Sequence, residues 1–377
     1  MRPAPPQGPA ATPPEEEDQS AMTNPASAVK PPTPPPTSVV DERLADVSVT
    51  TKLLRRPELG ALLAAVVVGV FFALTADPFG TLGGAANWTD VAATYGIPAV
   101  AVALLMIGGE FDLSAGVITG TAGLFMGIVA TELDLNIWLA ILLTFAFCGT
   151  IGFINGYMVV RTKLPSFIVT LATFFVLQGV NLGVTKQITG TVRVGGLSEV
   201  SGFETAKDIF GGTFWSPHDF RVSVLWWIVI TAIATWLLAR TRVGNWIFGV
   251  GGDAVAARNV GVPVPRVKIA LFMTTALCSA LVGIIIALRL GSMQAGQGIG
   301  DEFTYIIAAV VGGCLLTGGF GSAIGASVGA LIIGMAFIGI QFSGWDTDWR
   351  YLFLGVILLL AVLVNNFVRR SAEGARK

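Results

Sequence analysis

Charge is what this chain has least of. Only 12% of its 377 residues are Asp, Glu, Lys or Arg and 53% are hydrophobic, about half the charge of a soluble domain. That excludes an ordinary soluble fold. Histidine occurs once, His218, in a polar stretch. The three cysteines, Cys148, Cys278 and Cys314, fall inside apolar segments at no metal-like spacing, and are expected to be small buried packing residues. A metal centre or a hydrolase site has almost nothing to build from, so no metal and no catalytic residue is expected. No lysine follows a glycine anywhere, which excludes a Gly-x-x-x-x-Gly-Lys-Ser/Thr phosphate loop on this chain. A net charge of −1 gives no electrostatic reason to bind nucleic acid.

What is present is sequence suited to hydrocarbon, with mean hydropathy +0.74. Most of the apolar runs can cross ~30 Å of bilayer at ~1.5 Å per residue. Ten segments are predicted, at about 59–76, 91–107, 113–131, 137–157, 165–185, 223–239, 267–289, 302–317, 323–341 and 349–367. The last division but one rests only on the break Thr317-Gly318-Gly319-Phe320-Gly321. The expected fold class is an all-α polytopic protein of the cell inner (cytoplasmic) membrane, with about ten transmembrane helices. With the N-terminus inside, 17 of the 23 Lys and Arg residues fall on the cytosolic side, as the positive-inside rule requires. Trp88, Trp138, Trp215, Trp226, Trp227, Trp345 and Trp349 then fall near the outer interface. Both ends are expected in the cytosol.

Residues 1–50 hold 12 of the 19 prolines and the acidic run Glu15-Glu16-Glu17-Asp18. With no apolar stretch this segment is no signal peptide, and it reads as a disordered cytosolic tail. The transmembrane domain is expected over 51–370, followed by a short cytosolic tail at 371–377. The longest external loop is about 186–222, and a second, glycine-rich external piece runs from Gly291 to Gly300.

The polar gap at 240–268 interrupts the membrane sequence. It carries Arg240, Arg242, Arg258, Arg266 and Lys268, and Asp253 as its only acid. Asp253 can N-cap a helix of about two turns, Ala254 to Val260; Gly261 supplies the stop, and Pro263 and Pro265 forbid continuation. A short Ala/Val helix on a basic loop has the size of a plug for a groove on another protein.

Two further patterns stand out. Gly108-Gly109-Glu110-Phe111-Asp112-Leu113-Ser114-Ala115-Gly116 joins the second and third segments through a glycine turn that Asp112 or Ser114 can cap. Beyond it Gly116, Gly120, Gly123 and Gly127 form a small-residue face, as do Gly321, Gly325 and Gly329 later, and close helix packing accounts for both. In the fifth segment Thr170, Phe174, Gln178 and Asn181 share one helical face. That face either forms an interhelical hydrogen-bond seam or lines a path for a polar, uncharged solute, since amide plus aromatic is what a sugar would meet.

Taken together these motifs resemble the membrane subunit of ABC importers of the ribose/xylose/galactose class, within the group that also contains nucleoside and branched-chain amino-acid permeases. The resemblance is carried by 108–116, by Asn155-Gly156 with Leu164-Pro165-Ser166-Phe167-Ile168-Val169-Thr170-Leu171-Ala172-Thr173, by 249–261, and by Ile307–Gly313 with Gly318–Ser322. It covers roughly 55–368. It implies a homodimeric translocation pore, a solute-binding protein outside, and a cytosolic ATP-binding subunit that holds the ATP and Mg. It also implies that the central loop is the coupling helix, with Asp253, Ala256, Ala257, Arg258 and Gly261 as the coupling residues. The family helix reads Glu-Ala-Ala-x-x-x-Gly; here Val255 stands in place of the Glu. The expected function is monosaccharide import by alternating access, with a nucleoside or other small polar solute as the alternative cargo. An ion-coupled secondary transporter is the rival class; it would keep ionisable groups near the midplane, where only segment-edge acids are found. Segments two to five and seven to ten can also be read as inverted repeats. On that reading Glu110 and Asp112 on one side, and Asp301 and Glu302 on the other, are candidate gates at opposite mouths.

Overall fold

A computed structural model describes residues 57–374, with side chains over 58–363. The proline-rich tail lies outside the described residues, as does the end of the C-terminal tail. In chain order the helices are α1 Pro57–Thr75, α2 Leu82–Ile107, α3 Ala115–Glu132, α4 Ile137–Thr162, α5 Ser166–Thr189, α6 Phe203–Phe210 and α7 Val222–Arg240. They continue as α8 Arg242–Gly252, α9 Ala254–Asn259, α10 Val264–Leu290, α11 Asp301–Val311, α12 Ala323–Phe342 and α13 Trp349–Gly374. Eight of these, α1 to α5, α7, α10 and α12, are long and apolar enough to cross a membrane, and α13 adds a shorter apolar stretch, Trp349–Leu363.

The chain is built around α2, whose residues from Ala92 to Ile107 are almost all buried. It packs against α12, α7, α11 and α10, while α10 packs against α4 and α3. Of the most apolar stretch in each helix, 78% is buried in α2 and α3 but only 17% in α1. The former are therefore core and the latter lies at the periphery of the bundle. We refer to the end bearing α8 and α9 as the α9 end, and to the opposite one, bearing α6, as the α6 end.

The two stretches expected to be separate external loops are one structure. Strand β1 (Arg193–Val194) pairs antiparallel with β4 (Met293–Gln294), and β2 (Thr213–Phe214) pairs with β3 (Phe220–Arg221). Between them α6 is amphipathic, burying Phe203, Ala206 and Phe210. The 293–298 stretch then runs along α3. A Cβ on Gly123 would meet Met293, and Cβ atoms on Gly120 and Gly116 would collide with the carbonyls of Gln297 and Gly298. The glycine face of α3 therefore admits a short strand and the turns that follow it, where its spacing predicts a helix.

The eighth predicted segment, 302–317, is corrected. α11 has 11 residues, about 16 Å of rise and half a bilayer. Gly312 and Gly313 end it: Gly313 adopts φ +91°, and the Cys314 amide turns back to the Ala309 carbonyl at 3.0 Å. That is the 6→1 closure of a glycine-stopped helix. The chain then folds irregularly to Ser322, whose hydroxyl caps α12 by accepting from the Gly325 amide at 3.3 Å.

Candidate functional site

The site begins where α2 stops. Gly109 takes φ +83°, and the Glu110 amide closes the helix on the Leu105 carbonyl at 3.1 Å. Five residues without regular structure then lead into α3, and side chains of α4 and α5 hold them. The Ser166 hydroxyl accepts from the Phe111 amide and the Thr170 hydroxyl from the Leu113 amide, both at 3.0 Å. Asn155 donates to the Ser114 hydroxyl at 2.9 Å, and Thr173 donates to the Asn155 carbonyl at 2.6 Å. Ser114 donates its amide (2.8 Å) and its hydroxyl to Asp112 Oδ1. Asp112 is 0% exposed, and among the described residues its Oδ2 has no hydrogen-bond partner. Glu110 forms an ion pair with Lys268 of α10, with both side chains largely buried. The 155–156 and 164–173 motifs, separate patterns in the sequence, are thus the clamp on the 108–116 motif.

A second junction lies directly below this turn. The Gly319 amide donates to the Ile107 carbonyl at 2.9 Å. A Cβ on Gly251 would overlap that carbonyl, and one on Gly318 would come within 2.8 Å of the Gly109 Cα. The end of α8, the end of α2 and the loop after α11 therefore touch backbone to backbone. Only glycine permits this approach.

The gap at 240–268 contains two helices where the sequence suggested one. Thr241 caps α8, accepting from the Gly244 amide at 3.1 Å. Asp253 caps α9 as expected, its Oδ1 accepting from Val255 and Ala256 amides at 2.8 and 2.9 Å. Gly261 follows α9 with φ +87°. Of the proposed coupling residues, Asp253, Ala256, Arg258 and Gly261 are exposed. Ala257 is corrected: it is 6% exposed and belongs to the chain's own core. In its place Val255 (69%) and Val260 (81%) present an apolar face to solvent.

The second acidic turn starts α11. Glu302 is 3% exposed and its carboxylate accepts from the Gly300 amide at 3.0 Å. It abuts Gly116 in the first turn of α3. The two acidic turns, expected at opposite mouths, are neighbours, with Tyr305 and Thr119 hydroxyls 3.3 Å apart beside them. Asp301 is half-buried and lines a cavity open at the α6 end.

Of the fifth-segment stripe, Thr170 holds the Leu113 amide and Asn181 donates to Thr121 of α3 at 3.1 Å. Phe174 packs with the cluster of Val117, Ile118 and Ala122 on α3. Gln178 is half-buried. Cys148 and Cys314 are buried and Cys278 half-buried, as expected, and His218 sits edge-on to Trp215.

The class the fold defines is a polytopic α-helical membrane protein, an apolar bundle that encloses a polar clamp and carries one exposed short helix packed on α8 and α10. The chain belongs to the family described as the branched-chain amino acid transport system / permease component, whose model matches residues 84–362. It is therefore a permease subunit of the ABC-importer kind, resident in the cytoplasmic membrane, and not an enzyme. It is 32% identical over 320 residues to the probable ABC transporter permease protein YphD of Escherichia coli K12, covering 85% of this chain and 92% of that one. It is 30% identical to the fructose import permease protein FrcC of Rhizobium meliloti over 74% and 77% of the two chains. To the ribose import permease protein RbsC of Escherichia coli K12 it is 30% identical over 82% and 94%. No solved structure matches the chain.

Proposed function

We propose that this chain is the translocation subunit of an ATP-driven importer for a monosaccharide, working by alternating access as a homodimer. The observation that carries this is the exposed Val255, Ala256 and Val260 face of α9, joined to α8, whose Gly251 meets the Ile107 carbonyl at the end of α2. Such a face fits a groove on a cytosolic ATP-binding subunit that hydrolyses ATP and holds the Mg. A push there reaches α2, α11 and the acidic turns through backbone, which transmits displacement with little slack. A solute-binding protein would dock at the α6 end, which on this reading is external. Glu110, Asp112, Asp301 and Glu302 act as gates, and Phe174, Gln178 and neighbours on α5 line part of the path. Similarity to permeases named for ribose and fructose supports a sugar as cargo.

The test is reconstitution with an ATP-binding partner and a solute-binding protein, measuring uptake of ribose, xylose and fructose. Uptake that follows ATP and is indifferent to ion gradients is expected. Uptake driven by a proton or sodium gradient would overturn the reading in favour of a secondary transporter. ATP-driven uptake of a nucleoside alone would keep the mechanism and change the cargo.

A further inference from the structure

Two cavities open side by side at the α6 end, of about 320 and 300 Å³, and they share Tyr95, Phe337 and Arg350. These sizes stand at the lower end of the range for small-ligand sites. The first is bounded by Asp90 and Arg289, whose carboxylate and guanidinium pair in a bidentate manner at 2.8 Å. The second is bounded by Gln297, Asp301 and Thr304. The rings of Tyr95 and Phe337 meet edge to face, centroids 5.6 Å apart at 87°.

The chemistry of the lining narrows the ligand. Two carboxylates, Asp90 and Asp301, face two guanidinium groups, Arg289 and Arg350, so the formal charges cancel. An anion or a cation would meet as much repulsion as attraction. A neutral ligand with many hydroxyl groups would meet donors and acceptors of both signs at little net cost. Among the described residues Asp301 has no ion pair and hydrogen-bonds Tyr95, which leaves a carboxylate with further acceptor sites for a ligand. The aromatic pair offers a flat apolar wall for the C–H face of a ring. By contrast, the groove beside α7, lined by Trp227, Ile228 and Trp236, is mostly apolar.

We propose that the two cavities form one binding site for a neutral monosaccharide within a single chain, between α2, α11, α12 and α13. Tyr95 and Phe337 stack on the sugar ring, and Gln297, Asp301 and Arg350 bond its hydroxyls. This rests on the importer reading for the choice of sugar, and it places the first stop of the path away from α5.

The test uses the full chain in nanodiscs carrying Thr347→Cys, at the exposed rim of the first cavity, modified by a polar maleimide with and without ribose, xylose or fructose. At a concentration ten times its Kd, a bound sugar slows the modification about tenfold, and adding Tyr95→Ser abolishes that protection. Gln341→Cys, also exposed at the rim of the first cavity, repeats the measurement should Thr347→Cys fail to fold. Unchanged rates with all three sugars at both positions overturn the site, even where the reconstituted complex imports sugar on ATP. Protection without ATP-driven uptake keeps the site and overturns the importer reading.

Discussion

Two helices of this molecule start in its interior after an irregular approach, and they differ in one respect. The approach to α3 is sealed. Ser166 and Thr170 hold its amides, Asn155 with Thr173 behind it holds Ser114, Lys268 pairs with Glu110, and Asp112 is buried. The approach to α11 is open, with Asp301 on the wall of a cavity. The same kind of element, a glycine-rich turn followed by an acid, is thus closed toward the α9 end and accessible toward the α6 end. The difference is one of access: one carboxylate is sealed among side chains of α4 and α5, and the other borders a cavity.

The harshest way to break that contrast is Gly251→Val. Its side chain has no space beside the Ile107 carbonyl, so overpacking of about 1–3 kcal/mol or more should fall on the sealed end. Thermal melting in detergent should show a large loss, and the Asp112 position, probed as cysteine, should become reactive. Retained melting would mean that the joint has slack. Next comes the Glu110–Lys268 pair. Glu110→Gln leaves a largely buried ammonium, costing about 3 kcal/mol, while the double variant Glu110→Gln/Lys268→Met should recover most of that. A double variant as unstable as the single would remove the pair from the account.

A matched pair of substitutions sharpens the comparison. Asn155→Leu strips two buried hydrogen bonds at the sealed approach and should destabilise by about 1–3 kcal/mol; Asp301→Asn at the open one should shift melting by less than about 0.5 kcal/mol. Equal effects would show that the two acidic turns are equivalent in packing. The smallest effect on stability is expected from Val255→Ser/Val260→Ser on α9, where both side chains already face solvent. Melting should not move, while co-purification of the ATP-binding subunit should fall. Intact co-purification would take α9 out of the coupling mechanism.

Much of this architecture is legible in the sequence. Long apolar runs can only become helices in hydrocarbon, because every backbone group must be bonded within the segment. Asp253, with Gly261 and two prolines behind it, defines α9 within a residue. The eighth segment misleads because Ile306–Leu316 is as apolar as a span, and hydropathy does not register Gly312-Gly313. The stripe on α5 is visible as spacing, but its partners Leu113 and Thr121 lie 57 and 60 residues away. No local pattern announces such distances. Ala257 looks outward only while its motif is taken as one surface; residues two apart on a helix face different ways, so Val255 and Ala257 cannot both point at a partner. The pairing of Val194 with Met293 rests on strands of two residues, too short for any alternation to register.

The Asp90–Arg289 pair also sets a condition on how the protein is made. Asp90 enters the membrane with α2, and its cation follows 199 residues later with α10. At about 5–20 residues per second of synthesis, the acid waits about 10–40 s for its partner. Ser223, which donates to Asp90 at 2.8 Å, arrives earlier with α7 and is the first group able to satisfy it. A nascent chain that has not yet reached α10 thus holds Asp90 by a hydroxyl alone, without the cation that neutralises it in the finished fold.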